Sequence, residues 1–483
     1  KQFKLERDSL VNKISNNYER EEKYLLTQKI FDRIFFIYFL CHKKIVTRDN
    51  DAELSGNTLF SIISEQDNVH EELNKLFDSF NKSVDSKIIL ENLIISIPYL
   101  NGDLFRITKN ERNLVFDMAS REWKSIFKFL NQYHWIVDDD FEDVDDGENS
   151  LTPEILGHVY ERSVIEWETA GFGNSIESSD EPGERKGKGV FYTPSWITRP
   201  ICEGVVNPYI LDNFKNKYST ILKLKKGPLI DLKKAIKFLD NVTVLDPACG
   251  SGAFLVTVAE LIFRLKIEFL RLSGEKIDNY KIKLEIITNN IFGVDILRGA
   301  IEIAKLRLWL WLVSSYNVKG DVRPLPNIEY NLRVGDSLVG WLDETINHQS
   351  MNAVLDPLIA QHFNILKDFL KNGKLQKLES AEKLFESTNV EQFIEAEQIL
   401  LSIYKKSSGG EKKSLKKIID SSRKFNTHVT DDVYFISLNK KIKENYKIQS
   451  PPVSRPDYDD INSFHWGVNF TNIIQSGGFD IVI

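Results

Sequence analysis

The segment Val242-Thr-Val-Leu-Asp-Pro-Ala-Cys-Gly-Ser-Gly-Ala-Phe-Leu255 decides the fold of this chain. Its β-branched start predicts a short strand, residues 246–252 predict a tight turn, and Ala253 begins a run of apolar residues at helical spacing. A strand, a turn and a helix in this order are typical of an α/β sheet, which binds its ligands beyond the carboxyl ends of its strands. We therefore predict an α/β protein with a binding site around this turn.

The residues of the turn predict what it binds. Gly250 and Gly252 lack a Cβ atom, so the backbone can adopt positive φ and a ligand can approach it. The N–H groups of the first helical turn and the helix dipole favour an anionic group, whereas the carboxylate of Asp246 suits an ammonium or hydroxyl group. The turn matches a ligand with both an amine and a carboxylate. The alternative is a glycine-rich turn without a ligand, since the string is neither a P-loop nor a G-x-G-x-x-G motif.

Two more acidic residues follow predicted strands. Asn290–Ile296 is predicted to be a buried strand that ends at Asp295, where a carboxylate can accept hydrogen bonds from ribose hydroxyls or cap the next helix. Ile328–Val334 is predicted to be the third strand, and Asp336 follows it after Gly335. Together with the glycine turn, these residues predict three carboxylates at neighbouring strand ends of one parallel sheet.

The tripeptide Tyr192-Thr-Pro194 lies upstream of the glycine turn and precedes an apolar helix. Because proline favours the first position of a helix, Thr193 is predicted to be the N-cap and Pro194 the first helical residue. A plain helix cap is one interpretation, and a contact to the ligand of the glycine turn is the other.

These motifs resemble those of a known family. Residues 246–252 resemble the first motif of S-adenosylmethionine-dependent methyltransferases, in the form found in N6-adenine DNA methyltransferases. The motif order, with Tyr192-Thr-Pro194 before the glycine turn and Asp295 and Asp336 after it, resembles the gamma arrangement of amino-methyltransferases. The long prefix and the insertion after the third strand resemble the large single-chain restriction–modification enzymes of type IIG and the related phage-exclusion methylases.

This resemblance implies a fold, a cofactor and a set of site residues. The fold is a Rossmann-like methyltransferase sheet preceded by an α-helical domain, with a helical insertion after the third strand. The cofactor is S-adenosyl-L-methionine, whose methionine carboxylate is held in the family by the threonine motif, and whose adenine amine is bound by the third acidic residue. The cofactor-binding residues implied are Tyr192, Thr193, Pro194, Asp246, Ala248, Gly250, Gly252, Asp295, Ile296 and Asp336.

The resemblance also implies methylation of adenine N6 in double-stranded DNA. In the family, a strand like Phe479–Ile483 leads into Asn-Pro-Pro-Tyr, which holds the target amine and stacks on a base flipped out of the duplex. The sequence ends at Ile483, so we assign no catalytic residue and expect an inactive, cofactor-binding part of a longer enzyme. Two alternatives are an RNA or protein methyltransferase and a non-catalytic, cofactor-sensing scaffold of a phage-defence complex.

The sequence pattern predicts four domains or parts of domains. They are a helical connector domain (1–150), the first part of the methyltransferase core (151–340), a helical, lysine-rich insertion (341–460) and a return to the core (461–483). In the last part, both Phe464–Phe470 and Phe479–Ile483 are predicted to return to the sheet. In the core, Thr152 is predicted to cap a helix that has Pro153 in its first turn.

Composition limits the partners and the setting of the protein. The net charge of −7 and the pI of about 5.8 argue against a basic footprint over the whole chain, so any contact with DNA must be local or lie outside this chain. The most basic stretch is Lys405–Lys424, which predicts either a phosphate-binding patch or a solvated helix. The three cysteines form no CxxC pair, which predicts a reducing setting and no metal site. Without a signal peptide or a membrane-spanning run, we predict a cytoplasmic protein.

Overall fold

The structure is a computed structural model, and two compact units divide it: Lys1–Arg333 with Asp480–Ile483, and Val334–Phe479. It describes residues 2–15, 18–82, 84–91, 93–100, 103–117, 120–136, 150–155, 157, 193–316, 322–340, 453–455 and 462–483, with further positions between 400 and 458. Tyr192 and most of the Lys405–Lys424 stretch lie outside the described residues. No described helix has both the length and the apolar composition that crossing a bilayer requires.

The described part of the first 136 residues is mainly helical. Its helices are α1 (Gln2–Asn12), α2 (Arg20–His42), α3 (Gly56–Ser64), α4 (Val69–Ser79), α5 (Lys109–Arg112) and α6 (Ser120–Leu130). The region also contains a three-stranded antiparallel sheet in the order β1 (Thr47–Arg48), β3 (Leu93–Ile97), β2 (Ser86–Leu90). The prediction that the whole region is helical is therefore wrong at these residues. A two-stranded pair, β4 (His134–Trp135) with β5 (Ser150–Leu151), follows.

The antiparallel sheet has a local cause in the sequence. Ile88 pairs with Ile95 and Ile89 pairs with Ile94, so β-branched side chains face each other across β2 and β3. The connection at Glu91 has a positive φ of 53°, which suits a tight turn between strands and does not suit a helix. The pairing of two short isoleucine runs therefore overrides the helical periodicity of the flanking sequence.

Two helices that are apolar on nearly every side join this region to the central sheet. α2 is buried from Ile30 to Cys41, and α12 (Arg298–Val313) is buried along almost its whole length. A helix that is apolar all round must be covered on every side, and these two helices pack against each other. The first 136 residues and the sheet region therefore share one core.

The central sheet has the strand order β8, β7, β6, β9. The strands are β6 (Val244–Asp246), β7 (Ile291–Asp295), β8 (Leu332–Val334) and β9 (Ile481–Val482). β6 pairs in parallel with both β7 and β9, which confirms the predicted α/β class with a parallel sheet. The predicted third strand is shorter than expected, because Asn331 N–H and Leu332 N–H both donate to the carbonyl of Ile328 in a turn.

Helices flank the sheet in the same unit. They are α7 (Ser195–Asp212), α8 (Ile221–Lys225), α9 (Leu229–Asn241), α10 (Ala253–Leu272) and α11 (Asn279–Glu285), followed by α12. α7 packs on α10, and the hydroxyl oxygens of Thr198 and Thr257 lie 2.7 Å apart between them. Earlier in the chain, the Ile155 N–H donates to Thr152 Oγ1 at 3.3 Å, so the structure contains the predicted cap.

The second unit, Val334–Phe479, includes two short helices, α13 (Trp466–Asn469) and α14 (Thr471–Gln475). The prediction that Phe464–Phe470 returns to the sheet is therefore wrong, whereas the second predicted return strand is present as β9. The reason is aromatic packing. The ring centroids of Trp466 and Phe470 lie 5.9 Å apart on one side of the helical turn, and both rings contact Phe464.

Candidate functional site

The glycine turn connects β6 to α10 and has the backbone conformation that its glycines permit. Gly250 has φ of 52° and Gly252 has φ of 81°, and Gly252 is the left-handed N-cap of α10. A Cβ atom on Gly252 would lie 2.9 Å from the Cβ of Ala304 in α12. Gly252 is therefore required for helix packing as well as for the turn.

Most N–H groups within the turn already have acceptors in the protein. The pairs are Ala248 with Asp246 Oδ1, Cys249 with the Val294 carbonyl, Gly250 with Asp295 Oδ2, and Gly252 with the Cys249 carbonyl. Within the described part of the chain, no acceptor is found for the N–H groups of Ala253, Phe254 and Leu255. Compared with those four N–H groups of the glycine turn, the N–H groups in the first turn of α10 are better placed to bind an anion.

Asp246 ends β6 and is buried, with 5% of its surface exposed. Its Oδ1 accepts the Ala248 N–H at 3.1 Å, and no cationic side chain pairs with it among the described residues. The pKa of Asp246 is raised to about 6, mainly by burial; the Ala248 N–H opposes this shift, and the nearby charge of Asp295 contributes to it. Asp246 is a carboxylate that a ligand cation would stabilise in its charged form.

Asp295 ends the neighbouring strand, and its carboxylate ties the two strand ends together. Oδ2 accepts the Gly250 N–H and Oδ1 accepts the Leu297 N–H, each at 2.8 Å. Helix α12 begins after Leu297, which is its N-cap, so Asp295 does not cap that helix. Burial raises the pKa of Asp295 despite these two hydrogen bonds. Each oxygen keeps a lone pair that can accept a ligand hydroxyl.

Ile296 follows Asp295 and is 54% exposed. A large exposed apolar side chain next to the Asp295 carboxylate presents a surface that a flat ring can cover. At the opposite strand position, Gly293 pairs with Asp246, and a Cβ there would lie 2.7 Å from Leu255 and 2.9 Å from Cys249 Sγ. Gly293 thus allows the turn and α10 to lie close to β7.

Helix α7 begins one residue later than predicted. Pro194 is the N-cap with ψ of 156° and no side-chain capping bond, and Ser195 is the first helical residue. The Pro194 carbonyl accepts N–H groups from Ile197 and Thr198, so the prediction of Thr193 as N-cap is wrong. Extended backbone at Pro194 leaves Thr193 outside the helix, where its side chain is not needed for capping.

A cavity of about 320 Å³ lies between α7 and α10. Thr193, Ser195 and Ala253 are among its lining residues, so the structure brings the threonine motif to the first turn of α10. None of the three acidic strand-end residues belongs to the described lining. The cavity therefore meets only one end of the predicted site.

Asp336 lies in the second unit, two residues beyond the end of β8. Its Oδ1 accepts the Leu338 N–H at 2.9 Å, and no donor to its Oδ2 is found in the part of the chain that the structure describes. Leu338, which the sequence reasoning did not select, is 93% exposed. No sequence signal distinguishes Leu338, because a single leucine after a turn is ordinary; only its exposure marks it as a surface for an apolar ligand.

Comparison with known proteins shows which family the chain resembles. Two family models match the chain: the MmeI DNA-methyltransferase domain at residues 219–322 and the Eco57I restriction-modification methylase at residues 289–483. The chain is therefore similar to restriction–modification methylases. This match confirms the family predicted from the order of motifs, and the two matched ranges together include the glycine turn and all three acidic residues.

The chain has relatives of greater length. It is 31% identical over 496 residues to a Methanocaldococcus jannaschii protein named as a type II restriction enzyme and methyltransferase, covering 94% of this chain and 40% of that protein. It is 25% identical over 213 residues to the adenine-specific methyltransferase PglX of Lacticaseibacillus casei, covering 40% of this chain and 16% of that protein. The chain thus spans less than half the length of either relative.

A solved structure also matches the chain. The type IIL restriction-modification enzyme MmeI in complex with DNA aligns with 70% of this chain and 39% of that chain, with a TM-score of 0.45 and 16% sequence identity.

Proposed function

We propose that this chain contains the S-adenosyl-L-methionine site of a DNA methyltransferase that acts on adenine N6. The single observation that carries the proposal is a pair of carboxylates, buried Asp246 and partly buried Asp295, at adjacent parallel strand ends around one glycine turn. Bound at this site, the cofactor would supply an electrophilic methyl group, and the chain's own residues would hold and orient it.

The donors and acceptors of the turn fit the methionine part of the cofactor. Asp246 is buried and has no cationic partner in the part of the chain that the structure describes, and its raised pKa reflects that environment, so an ammonium group would complement it. The N–H groups of Ala253, Phe254 and Leu255, which have no acceptor among the described residues, lie at the start of a helix of 20 residues, and they would bind a carboxylate. Thr193 lines the same cavity as Ala253 and would add a hydroxyl donor to that carboxylate.

The second strand end fits the adenosine part. Asp295 is held rigidly by two backbone donors and retains acceptor capacity for the ribose hydroxyls. Exposed Ile296 would cover one face of the adenine ring. Asp336, with one oxygen free of described donors, would accept the exocyclic amine, and Leu338 would offer further apolar surface. Each assigned residue thus carries the chemical group that its part of the cofactor requires.

The choice of DNA adenine as substrate is supported by the two family models and by the relative that is named an adenine-specific methyltransferase. Methyl transfer requires the substrate amine to reach the methyl group, and we assign no residue of this chain to hold that amine. We propose that the substrate is double-stranded DNA. We also propose the domain division predicted from the sequence, which consists of a connector, the two parts of the core and a helical insertion.

Calorimetric titration of the 483-residue chain with S-adenosyl-L-homocysteine tests the cofactor site. Asp295→Ala should weaken binding by on the order of tenfold to a hundredfold, because a charged hydrogen-bond acceptor is lost. Asp278→Ala is the matched control, since this carboxylate caps α11 and lies at no strand end. Equal affinity of wild type and Asp295→Ala would overturn the assignment.

Radiolabelled methyl transfer tests the substrate. This chain and longer proteins that contain it should be assayed with duplex DNA, RNA and protein in parallel. Incorporation into duplex DNA that is lost when adenine N6 is already methylated supports the proposal. Incorporation into RNA or protein alone would favour the alternative methyltransferase, and cofactor binding without any transfer would favour the sensing scaffold.

A further inference from the structure

We infer that Asp431 is a positioning residue for Asp336, the residue assigned above to the adenine amine of the cofactor. The inference rests on the proposed function and adds to it a residue from the predicted insertion. All the contacts that carry it lie within the second unit.

The turn that presents Asp336 is held by a later segment, residues 462–466. The Asp336 N–H donates to the Asn462 carbonyl at 2.8 Å, and the Phe464 N–H donates to the Val339 carbonyl at 2.7 Å. Asp336 and Ser463 form a parallel bridge. The backbone on both sides of the Asp336 carboxylate is therefore fixed to residues 462–464.

Side-chain packing makes this attachment tight. A Cβ atom on Gly335 would lie 2.7 Å from Phe464 Cδ2, and one on Gly340 would overlap the Phe464 carbonyl. Trp466 Nε1 donates to the Ser337 carbonyl at 3.2 Å. With both glycines against Phe464, a shift of residues 462–466 must shift the Asp336 turn as well.

Asp431 anchors residues 462–466 through one oxygen atom. Its Oδ1 lies 2.5 Å from Ser463 Oγ, 3.0 Å from His465 Nε2 and 3.0 Å from the Tyr458 hydroxyl. Burial alone would raise the pKa of Asp431, but the hydrogen bonds from His465 and Ser463 outweigh it and hold the pKa below its usual value. Asp431 is therefore charged and makes charge-assisted hydrogen bonds, which are the strong ones.

The arrangement is not that of a nucleophile. In a catalytic triad the histidine lies between the serine and the acid, whereas here Ser463 directs its hydroxyl at the carboxylate itself. His465 is 1% exposed and lies 5.4 Å from the Tyr434 ring, so it is enclosed by protein. The cluster of Asp431, Tyr458, Ser463 and His465 is built to hold a segment in place.

Binding of S-adenosyl-L-homocysteine to the whole chain tests this role. Asp336→Ala should weaken binding by about tenfold or more, because a hydrogen bond to a charged acceptor is lost. Asp431→Ala should approach the same loss, and Asp431→Asn should fall between, since its amide oxygen still accepts. In the Asp336→Ala background, Asp431→Ala should cause no further loss, because the two residues act through one contact.

Two controls separate positioning from general destabilisation. Asn439→Ala removes two hydrogen bonds of 3.2 Å to the Val453 backbone in the same unit, and it should lower the melting temperature while leaving affinity unchanged. S-inosyl-L-homocysteine lacks the exocyclic amine, so wild type and Asp431→Ala should bind it equally. If Asp431→Ala fails to fold, the same comparisons are made with Asp431→Asn.

The possible failures are distinguishable. Unchanged affinity in Asp336→Ala would overturn the adenine contact of the proposed function and, with it, this inference. A loss in Asp336→Ala but none in the folded Asp431 variants would overturn the inference alone. Equal losses for both ligands, or additive losses in the double variant, would show that Asp431 acts on general stability.

Discussion

Replacing Asp246 with asparagine should stabilise the ligand-free protein at neutral pH while weakening cofactor binding. The wild-type carboxylate is 5% exposed, has no cationic partner among the described residues and lies near Asp295. An asparagine has the same shape, and its amide oxygen can still accept the Ala248 N–H. The substitution therefore removes a buried charge without creating a cavity.

The magnitude follows from the pKa of Asp246. It rises from 3.8 to about 6 on folding, and each unit corresponds to about 1.4 kcal/mol, so the charged form costs the fold up to about 3 kcal/mol at pH 7. Because the folded pKa is raised, protonated Asp246 does not destabilise the wild-type protein below pH 3.8. Part of the stability of the wild type is then lost as pH rises through 6 and the buried carboxyl becomes charged. The advantage of Asp246→Asn should fall to about half at pH 5 and almost vanish below pH 4.

Urea denaturation of both proteins at pH 7, 5 and 4 measures this difference directly. Other titrating groups are common to both proteins and cancel in the comparison. A variant that is less stable than wild type at pH 7, or whose advantage does not shrink on acidification, would refute the reasoning. Either result would mean that a group not seen among the described residues stabilises the charged carboxylate.

Further predictions concern the same turn and the core beneath it. Affinity for S-adenosyl-L-homocysteine should fall by up to about tenfold per pH unit below pH 6, because protonated Asp246 cannot pair with an ammonium group; Asp246→Asn should show less pH dependence in calorimetry. Gly252→Ala should cost more stability than the control Gly274→Ala by about 1–3 kcal/mol, since both have positive φ but only Gly252 meets a neighbour, Ala304; equal losses in thermal unfolding would contradict this packing. Arg33→Met should destabilise the protein by about 3–5 kcal/mol, because it leaves Glu111, buried and 2.7 Å from Arg33, without its counter-charge, and a change below 1 kcal/mol in urea denaturation would count against a buried pair.

The sequence predicted the parts of the site that are local in the chain. Asp246 and Asp295 end short apolar strands, and the glycines between β6 and α10 have the positive φ that their residue type permits. These features depend on strand, turn and helix propensities within about ten residues. The error at Pro194 is of the same local kind, since a proline before a helix can be the N-cap or the first helical residue, and only its ψ of 156° decides.

The features that sequence reasoning missed depend on residues far apart in the chain. The isoleucine strands β2 and β3 could be read as helix because periodicity does not reveal a pairing partner, and Phe464 was assigned to the sheet although it packs over Gly335 and Gly340. Asp431 gives no motif at all. Its importance comes from three donors that meet at one oxygen only after folding. A proposed ligand contact such as Asp336 needs a fixed backbone as well as the right side chain, and the residues that fix that backbone can come from anywhere in the sequence. Motifs therefore identify the groups that would touch a cofactor, whereas the groups that would hold those residues in place must be found in the structure.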